Sequence, residues 1–166
     1  MPARLVSIYL APEAGAPPVP VAEATARAGR GLEGDRYATA SGSFSRWPGK
    51  GRALTLIDAA AIRDAEVDFG VSLSEGEHRR NLVVEGVPLQ DLRGVRFRIG
   101  GVEVEGSRLC APCKYLVRVT GQDEVFEALV GRGGLRAEIV TDGVLRLGDE
   151  VTWDPEAVAN RPHLPG

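Results

Sequence analysis

Three glycine-containing dipeptides between short apolar runs constrain this chain most. Gly100-Gly101 separates Val95–Ile99 from Val102–Leu109, Asp142-Gly143 separates Leu135–Val140 from Val144–Leu147, and Gly148-Asp149 stands before Glu150–Trp153. Dipeptides of this kind supply the positive φ that two-residue hairpin turns demand, and the flanking runs are apolar and rich in β-branched residues, as strands are. Each is therefore expected to close a β-hairpin. With 21 glycines and 11 prolines in 166 residues, turns recur too often for long elements. Arg4–Leu10, Leu54–Ile57 and Asn81–Val84 also read as strands, and Val19, Val21 and Ala24 as a shorter one. Only two stretches have helical spacing. Asp58 is placed to cap a helix over Ala59–Phe69 that Gly70 ends, and Asp123–Val130 forms a shorter one. The regular helical crossovers of a parallel α/β sheet are missing, so the expected fold is mainly β, a barrel decorated by a few short helices.

The length suits one domain, expected over residues 1–153, with 154–166 as a proline-rich, loosely held tail. A formal net charge of -3 leaves no basic footprint for nucleic acid. No apolar run is long enough to span a bilayer, and Met1-Pro2-Ala3-Arg4-Leu5 lacks the basic-then-apolar layout of a signal peptide. The expected location is the cytoplasm, where two cysteines stay reduced. Oligomeric state is not legible.

Both cysteines fall in one stretch, Arg108-Leu109-Cys110-Ala111-Pro112-Cys113-Lys114, at the end of a strand-like run. Thiolate is the reactive and metal-binding form of cysteine, and nearby cations favour it; Arg108 and Lys114 flank the pair. Pro112 restricts Ala111 to extended backbone, which makes the segment a fixed turn. Two buried small hydrophobes would have the same spacing. Two further polar clusters stand where strands end: Gly34-Asp35-Arg36 and Arg79-Arg80-Asn81. Glycine lets backbone amides approach a ligand, arginine forks match phosphate oxygens, and an amide such as Asn81 both donates to and accepts from a heterocycle edge. With a thiolate, these parts suit an anionic heterocycle carrying a soft metal centre. Taken singly, each also reads as a turn, a solvated charge pair or a loop tie. His78, between Glu77 and Arg79, reads as a surface turn residue, and Trp47 beside Pro48-Gly49 as loop packing.

The order of the motifs says more than any one of them. Gly31-x-x-Gly34-Asp35-Arg36-Tyr37, Arg52-Ala53-Leu54-Thr55-Leu56-Ile57, Arg79-Arg80-Asn81-Leu82-Val83-Val84-x-Gly86, Leu89-x-x-Leu92, Gly100, Pro112-Cys113, Gly133-Gly134-Leu135-Arg136 and Gly143-x-x-x-x-Gly148-Asp149 together resemble the MOSC domain, the C-terminal domain type of molybdenum cofactor sulfurases, also found as stand-alone bacterial proteins. The resemblance runs from about Arg4 to Trp153. It implies a β-rich fold around a pyruvate-kinase-like barrel, and a molybdenum cofactor (molybdopterin) served by a cysteine that carries sulfur or ligates the metal. By position that cysteine is Cys113. Gly34, Asp35 and Arg36 match the Gly-Asp-Arg element, with Tyr37 where the family usually has His. Arg79 and Asn81 match the Arg-x-Asn element that contacts the pterin and its phosphate, and Arg108 is placed with the cofactor-binding set as a cation near the thiol. Cys110 is an extra thiol, able to resolve a persulfide on Cys113 or to pack. No pyridoxal phosphate is expected on Lys50 or Lys114, so turnover calls for a sulfur donor or redox partner in trans. A second reading is a molybdenum-dependent reductase of N-hydroxylated compounds. A third, of another class, is a binding module in which Cys110 and Cys113 hold half of a shared zinc site, with His78 and His163 as further candidates.

Overall fold

The computed structural model describes residues 2–11, 16–35, 54–110 and 114–161. One eight-stranded sheet dominates it, in the order β11-β7-β8-β9-β5-β6-β1-β2, formed by β1 (Arg4–Leu10), β2 (Val19–Val21), β5 (Leu54–Asp58), β6 (Leu82–Glu85), β7 (Arg96–Ile99), β8 (Val102–Leu109), β9 (Leu135–Ile139) and β11 (Val151–Trp153). A three-stranded sheet, β10-β3-β4, joins β3 (Glu23–Arg27), β4 (Gly31–Leu32) and β10 (Gly143–Arg146). The large sheet curls until its two ends meet. The backbone N–H of Leu5 on β1 donates to Asp149 O at 2.8 Å, Gly148 N–H donates to Leu5 O at 2.8 Å, and Val151 N–H at the start of β11 donates to Ala3 O at 2.9 Å. The mainly β, barrel-like expectation holds.

The barrel interior is apolar because alternate side chains of the strands point into it. Leu54, Leu56, Leu82, Val84, Phe97, Ile99, Val102, Val104, Leu135 and Ala137 are buried there, and Ala24, Ala26, Leu32 and Leu145 of the small sheet join the same cluster. The two runs Leu54–Ile57 and Leu82–Val84 are apolar at almost every position because β5 and β6 are covered on both faces. Ile57 and Val83 face outward onto a second core with Ala61 and Ala65 of α1 (Ala59–Phe69), Leu116 of α2 (Lys114–Thr120), and Val125, Ala128 and Leu129 of α3 (Val125–Leu129). Burial on both faces is the habit of parallel strands. Here β5 and β6 do run parallel, with α1 in the crossover, a single such unit in an otherwise antiparallel sheet.

Helix α1 matches its expected bounds. The Asp58 carboxylate accepts from Ala60 N–H, and Gly70 closes the last turn by donating to Ala65 O and Glu66 O. The hairpin at Gly100-Gly101 also forms, pairing Ile99 with Val102, with Gly100 at φ 58°. The other two dipeptides do not make hairpins. β10 pairs with β3 and β11 with β7, so Asp142-Gly143 and Gly148-Asp149 are corners where the chain changes partner. The reason is long-range in the chain: the Asp142 carboxylate accepts from Ala28 N–H at 2.7 Å, just past the end of β3, and the 148–151 segment is spent on β1. Helix content also exceeds the expectation of two. α2 forms despite Val117, Val119 and Thr120, whose branched side chains disfavour helix, because Leu116 anchors it on the second core. α4 (Pro155–Ala159) is capped by Asp154 and packs Val158 on the barrel core, so the chain stays docked beyond Trp153. No described helix is long and apolar enough to cross a membrane.

Candidate functional site

The expected site residues divide between two places. Gly34, Asp35, Arg79 and Asn81 gather where β1 ends. The Asp35 carboxylate, 1% exposed, accepts from Ala11 N–H at 2.9 Å, and Arg79 donates from Nη2 to Ala16 O at 2.8 Å. Arg79 holds φ at 61°, a left-handed conformation uncommon outside glycine. Asn81 is 6% exposed and works as an internal tie. Its Oδ1 accepts from Thr55 N–H at 3.1 Å and from the Thr55 hydroxyl at 3.2 Å, its Nδ2 donates to Tyr9 O at 3.2 Å, and its backbone N–H donates to Thr55 Oγ1 at 3.0 Å. The side chain thus locks β1, β5 and β6 together where the Arg79–Asn81 segment enters the sheet. Arg36 and Cys113, the arginine and the thiol of the expected constellation, lie outside the described residues, as do Tyr37, Trp47 and His163.

Arg108 stands elsewhere, at the end of β8, on a cleft of about 960 Å³. The cleft is walled by the segment after β6, Val87 to Arg93, by Arg108 to Cys110, by Phe126 and Val130, and by Gly131 to Gly134, with Asp58 at its base. A β-bulge aims Arg108 there. On β8, Val102, Val104 and Gly106 point inward, so strict alternation would turn Arg108 into the core. The register shifts between Gly106 and Arg108, leaving Ser107 as the extra residue with its hydroxyl donating to Arg136 O at 3.0 Å, and Arg108 comes out exposed, opposite Arg136. Among the described residues Arg108 makes no hydrogen bond or ion pair, whereas the other charges of the cleft are partly spent: Arg132 pairs with Asp64 at 3.1 Å, Asp91 with Arg161 at 3.5 Å, and Asp58 caps α1.

Cys110 lines the same cleft, 4% exposed, its N–H donating to Gly134 O at 2.8 Å. Gly133 and Gly134 make this approach possible. A Cβ on Gly133 would stand 2.2 Å from Cys110 O, and one on Gly134, at φ 109°, 2.0 Å from Leu56 O. Such contacts admit glycine alone. Arg80 links the two places: its Nε donates to Gly133 O at 2.8 Å and its Nη1 to His78 O at 3.0 Å. Sequence reasoning left Arg80 out of the site because nothing in Arg79-Arg80 tells which fork is engaged.

His78 is the other surprise. It is fully buried, where charged neighbours on both sides pointed to the surface. Its Nδ1 accepts from Arg80 N–H at 2.9 Å, its ring meets Tyr9 edge-on at 5.3 Å between centroids, and its Nε2 has no hydrogen-bond partner among the described residues. Burial, reinforced by the charge of Arg80, pushes its pKa down to about 3, so at neutral pH the imidazole is uncharged and carries its proton on Nε2. Among the described residues no group of three or more His, Cys, Asp or Glu converges to hold a metal ion.

With this geometry in hand, comparison with known proteins adds three findings. A family model described as the MOSC domain matches residues 44–152. The fold is similar to the crystal structure of the YuaD protein from Bacillus subtilis (TM-score 0.72, 19% identity, covering 91% of this chain and 94% of that one). It is likewise similar to YiiM from Geobacillus stearothermophilus (TM-score 0.71, 17% identity, 92% and 75%) and to YiiM from Escherichia coli (TM-score 0.65, 18% identity, 98% and 79%). No curated protein matches the chain significantly.

Proposed function

Because this chain belongs to the MOSC domain family, whose members in general bind the molybdenum cofactor, we propose that it binds that cofactor and that Cys113 serves as sulfur carrier or molybdenum ligand. The observation that carries the reading is Arg108. Its charge is unanswered within the described residues, a bulge turns it out of the core, and it lies five residues before Cys113 on the strand that feeds the cysteine pair. The donor set of the chain fits an anionic pterin. Arg79 and Arg36 answer the phosphate, Gly34 and Asp35 shape the loop beside them, and Asn81 fixes the entry of that segment. Arg108, five residues before Cys113, favours its thiolate. When bound, the cofactor supplies a soft metal centre for sulfur or oxygen exchange. The chain contributes binding, orientation and a thiol held near cations, and Arg80 keeps the cleft wall in step with the Arg79–Asn81 segment. A sulfur donor or a redox partner completes any turnover in trans, and the cytoplasm is the compartment where such a thiol stays reduced.

The size of the cleft favours a second reading, a molybdenum-dependent reductase of N-hydroxylated compounds, since about 960 Å³ leaves room for a reactant of its own. The test of the first reading is elemental analysis and pterin fluorescence of protein made in a molybdenum-replete host. Bound cofactor is expected in the wild type, and Cys113→Ser is expected to lose it or to lose its transferable sulfur. Protein purified without molybdenum or pterin from such a host counts against the reading. Reduction of an N-hydroxylated base with an artificial electron donor separates the second reading from the first.

A further inference from the structure

We propose that the cleft at the end of β8 is a binding site for an amphipathic organic anion, a carboxylate on an apolar, ring-sized body, and that this is the class of reactant presented to the cysteine segment. That it acts as a reactant rests on the function proposed above; that it binds rests on the cleft alone. Two observations, independent of each other, define the ligand.

One is charge. Arg108 lines the cleft at the end of β8, turned out of the core by the bulge. Arginine forks read a carboxylate through paired N–H donors, and here the bulge that exposes Arg108 leaves its fork with no protein acceptor among the described residues. The acids of the cleft do not replace one. Asp58 is turned to the first turn of α1 and Asp91 to Arg161.

The other is apolar surface. Eight large hydrophobic side chains of the described residues are notably exposed, and three of them, Leu109, Phe126 and Val130, line this one cleft at 37%, 39% and 58% exposure. Val87 and Leu89 continue the apolar wall inward. An exposed apolar lip beside the Arg108 fork fits neither a free phosphate, which gains nothing from the lip, nor an uncharged hydrocarbon, which leaves Arg108 unused. It fits a molecule with both parts.

The probes are 2-naphthoate and its uncharged isostere 2-naphthamide, titrated into the full chain by calorimetry and by amide chemical-shift mapping, with molybdenum content recorded for every preparation. Naphthoate is expected to bind at least about tenfold more tightly than naphthamide, the ratio that loss of one charge-assisted fork produces, and to shift the amides of Leu109, Phe126 and Gly131. Arg108→Gln is expected to bring naphthoate down to the level of the amide. The double variant Phe126→Ser with Val130→Ser changes exposed positions only; it is expected to weaken both probes about tenfold while molybdenum content stays at the wild-type value. Equal binding of the two probes, no saturable binding of naphthoate, or shifts confined to another face overturns the proposal. Loss of molybdenum in the lip variant also overturns it, by making the cleft the cofactor's own pocket and leaving the proposed function intact. Wild-type protein without molybdenum that still binds naphthoate as described overturns the proposed function and leaves this site standing.

Discussion

Acidification should unlock this protein through His78 before its carboxylates titrate fully. In the folded chain the imidazole is buried with a pKa of about 3; in the unfolded chain it returns to its ordinary value of 6.5. A depressed folded-state value means that between pH 6.5 and pH 3 the unfolded chain binds a proton that the folded chain refuses, so stability falls as pH falls. The contribution is fully present above about pH 6.5 and gone near pH 3. At pH 5 the unfolded state gains a factor of about 30 over the neutral imidazole, which lowers stability by about 2 kcal/mol relative to pH 7, and at pH 4 the loss reaches about 3 kcal/mol. Against a total of about 5–15 kcal/mol for a domain of this kind, that is a large share. The assay is urea unfolding of wild type and His78→Asn at pH 7 and pH 5. Asparagine keeps an acceptor where Nδ1 receives Arg80 N–H and does not titrate. The variant starts lower at pH 7, because it loses the edge contact with Tyr9, yet should lose about 2 kcal/mol less than wild type over the interval. All other groups are common to both proteins, so parallel pH profiles would refute the assignment of a buried, neutral His78.

Gly133→Ala places a Cβ 2.2 Å from the carbonyl of Cys110 and should cost about 2–4 kcal/mol in urea unfolding, whereas Gly101→Ala, with nothing within 4 Å, should stay within about 0.5 kcal/mol of wild type. Asn81→Ala removes the partners of Thr55 and Tyr9 in a buried setting, and a loss of about 2–4 kcal/mol with faster amide exchange at Thr55 is expected; an unchanged midpoint contradicts its role as a tie. Arg80→Ala should raise the alkylation rate of Cys110, now 4% exposed, by releasing Gly133 O, and Arg80→Lys should restore part of the protection; equal rates in all three proteins exclude the coupling.

Much of the architecture was legible because its signals are local. Asp58 and Gly70 bracket α1 to the residue, and Gly100 turns the β7–β8 hairpin, since capping and positive-φ turns depend on a few neighbours. The corners at Asp142-Gly143 and Gly148-Asp149 carry the same local signal and resolve otherwise, because what they connect is decided by distant partners: Ala28 for one, Leu5 for the other. The small sheet β10-β3-β4 was hidden for that reason. At the site, only the bulge at Ser107 explains how Arg108, an even-numbered residue on β8, escapes the core. His78 was misread because Glu77 and Arg79 make its neighbourhood look solvated, while its own ring turns inward to Tyr9. Asp35 is buried in the same manner beneath a glycine loop. The clustering of Leu109, Phe126 and Val130 on one cleft depends on the packing of α3 against α1 and α2, which no stretch of sequence encodes by itself.

The central claim is that Cys113 is the working sulfur of a cofactor-binding domain, and the most direct test is mass spectrometry of the peptide carrying Cys110 and Cys113, run on the same wild-type sample whose molybdenum is measured. The account predicts molybdenum together with a Cys113 that either carries one additional sulfur atom, removable by a thiol reductant, or is shielded from alkylation until the metal is extracted. A Cys113 that is bare, alkylates at the same rate with and without molybdenum, and can become serine with no change in bound cofactor contradicts it.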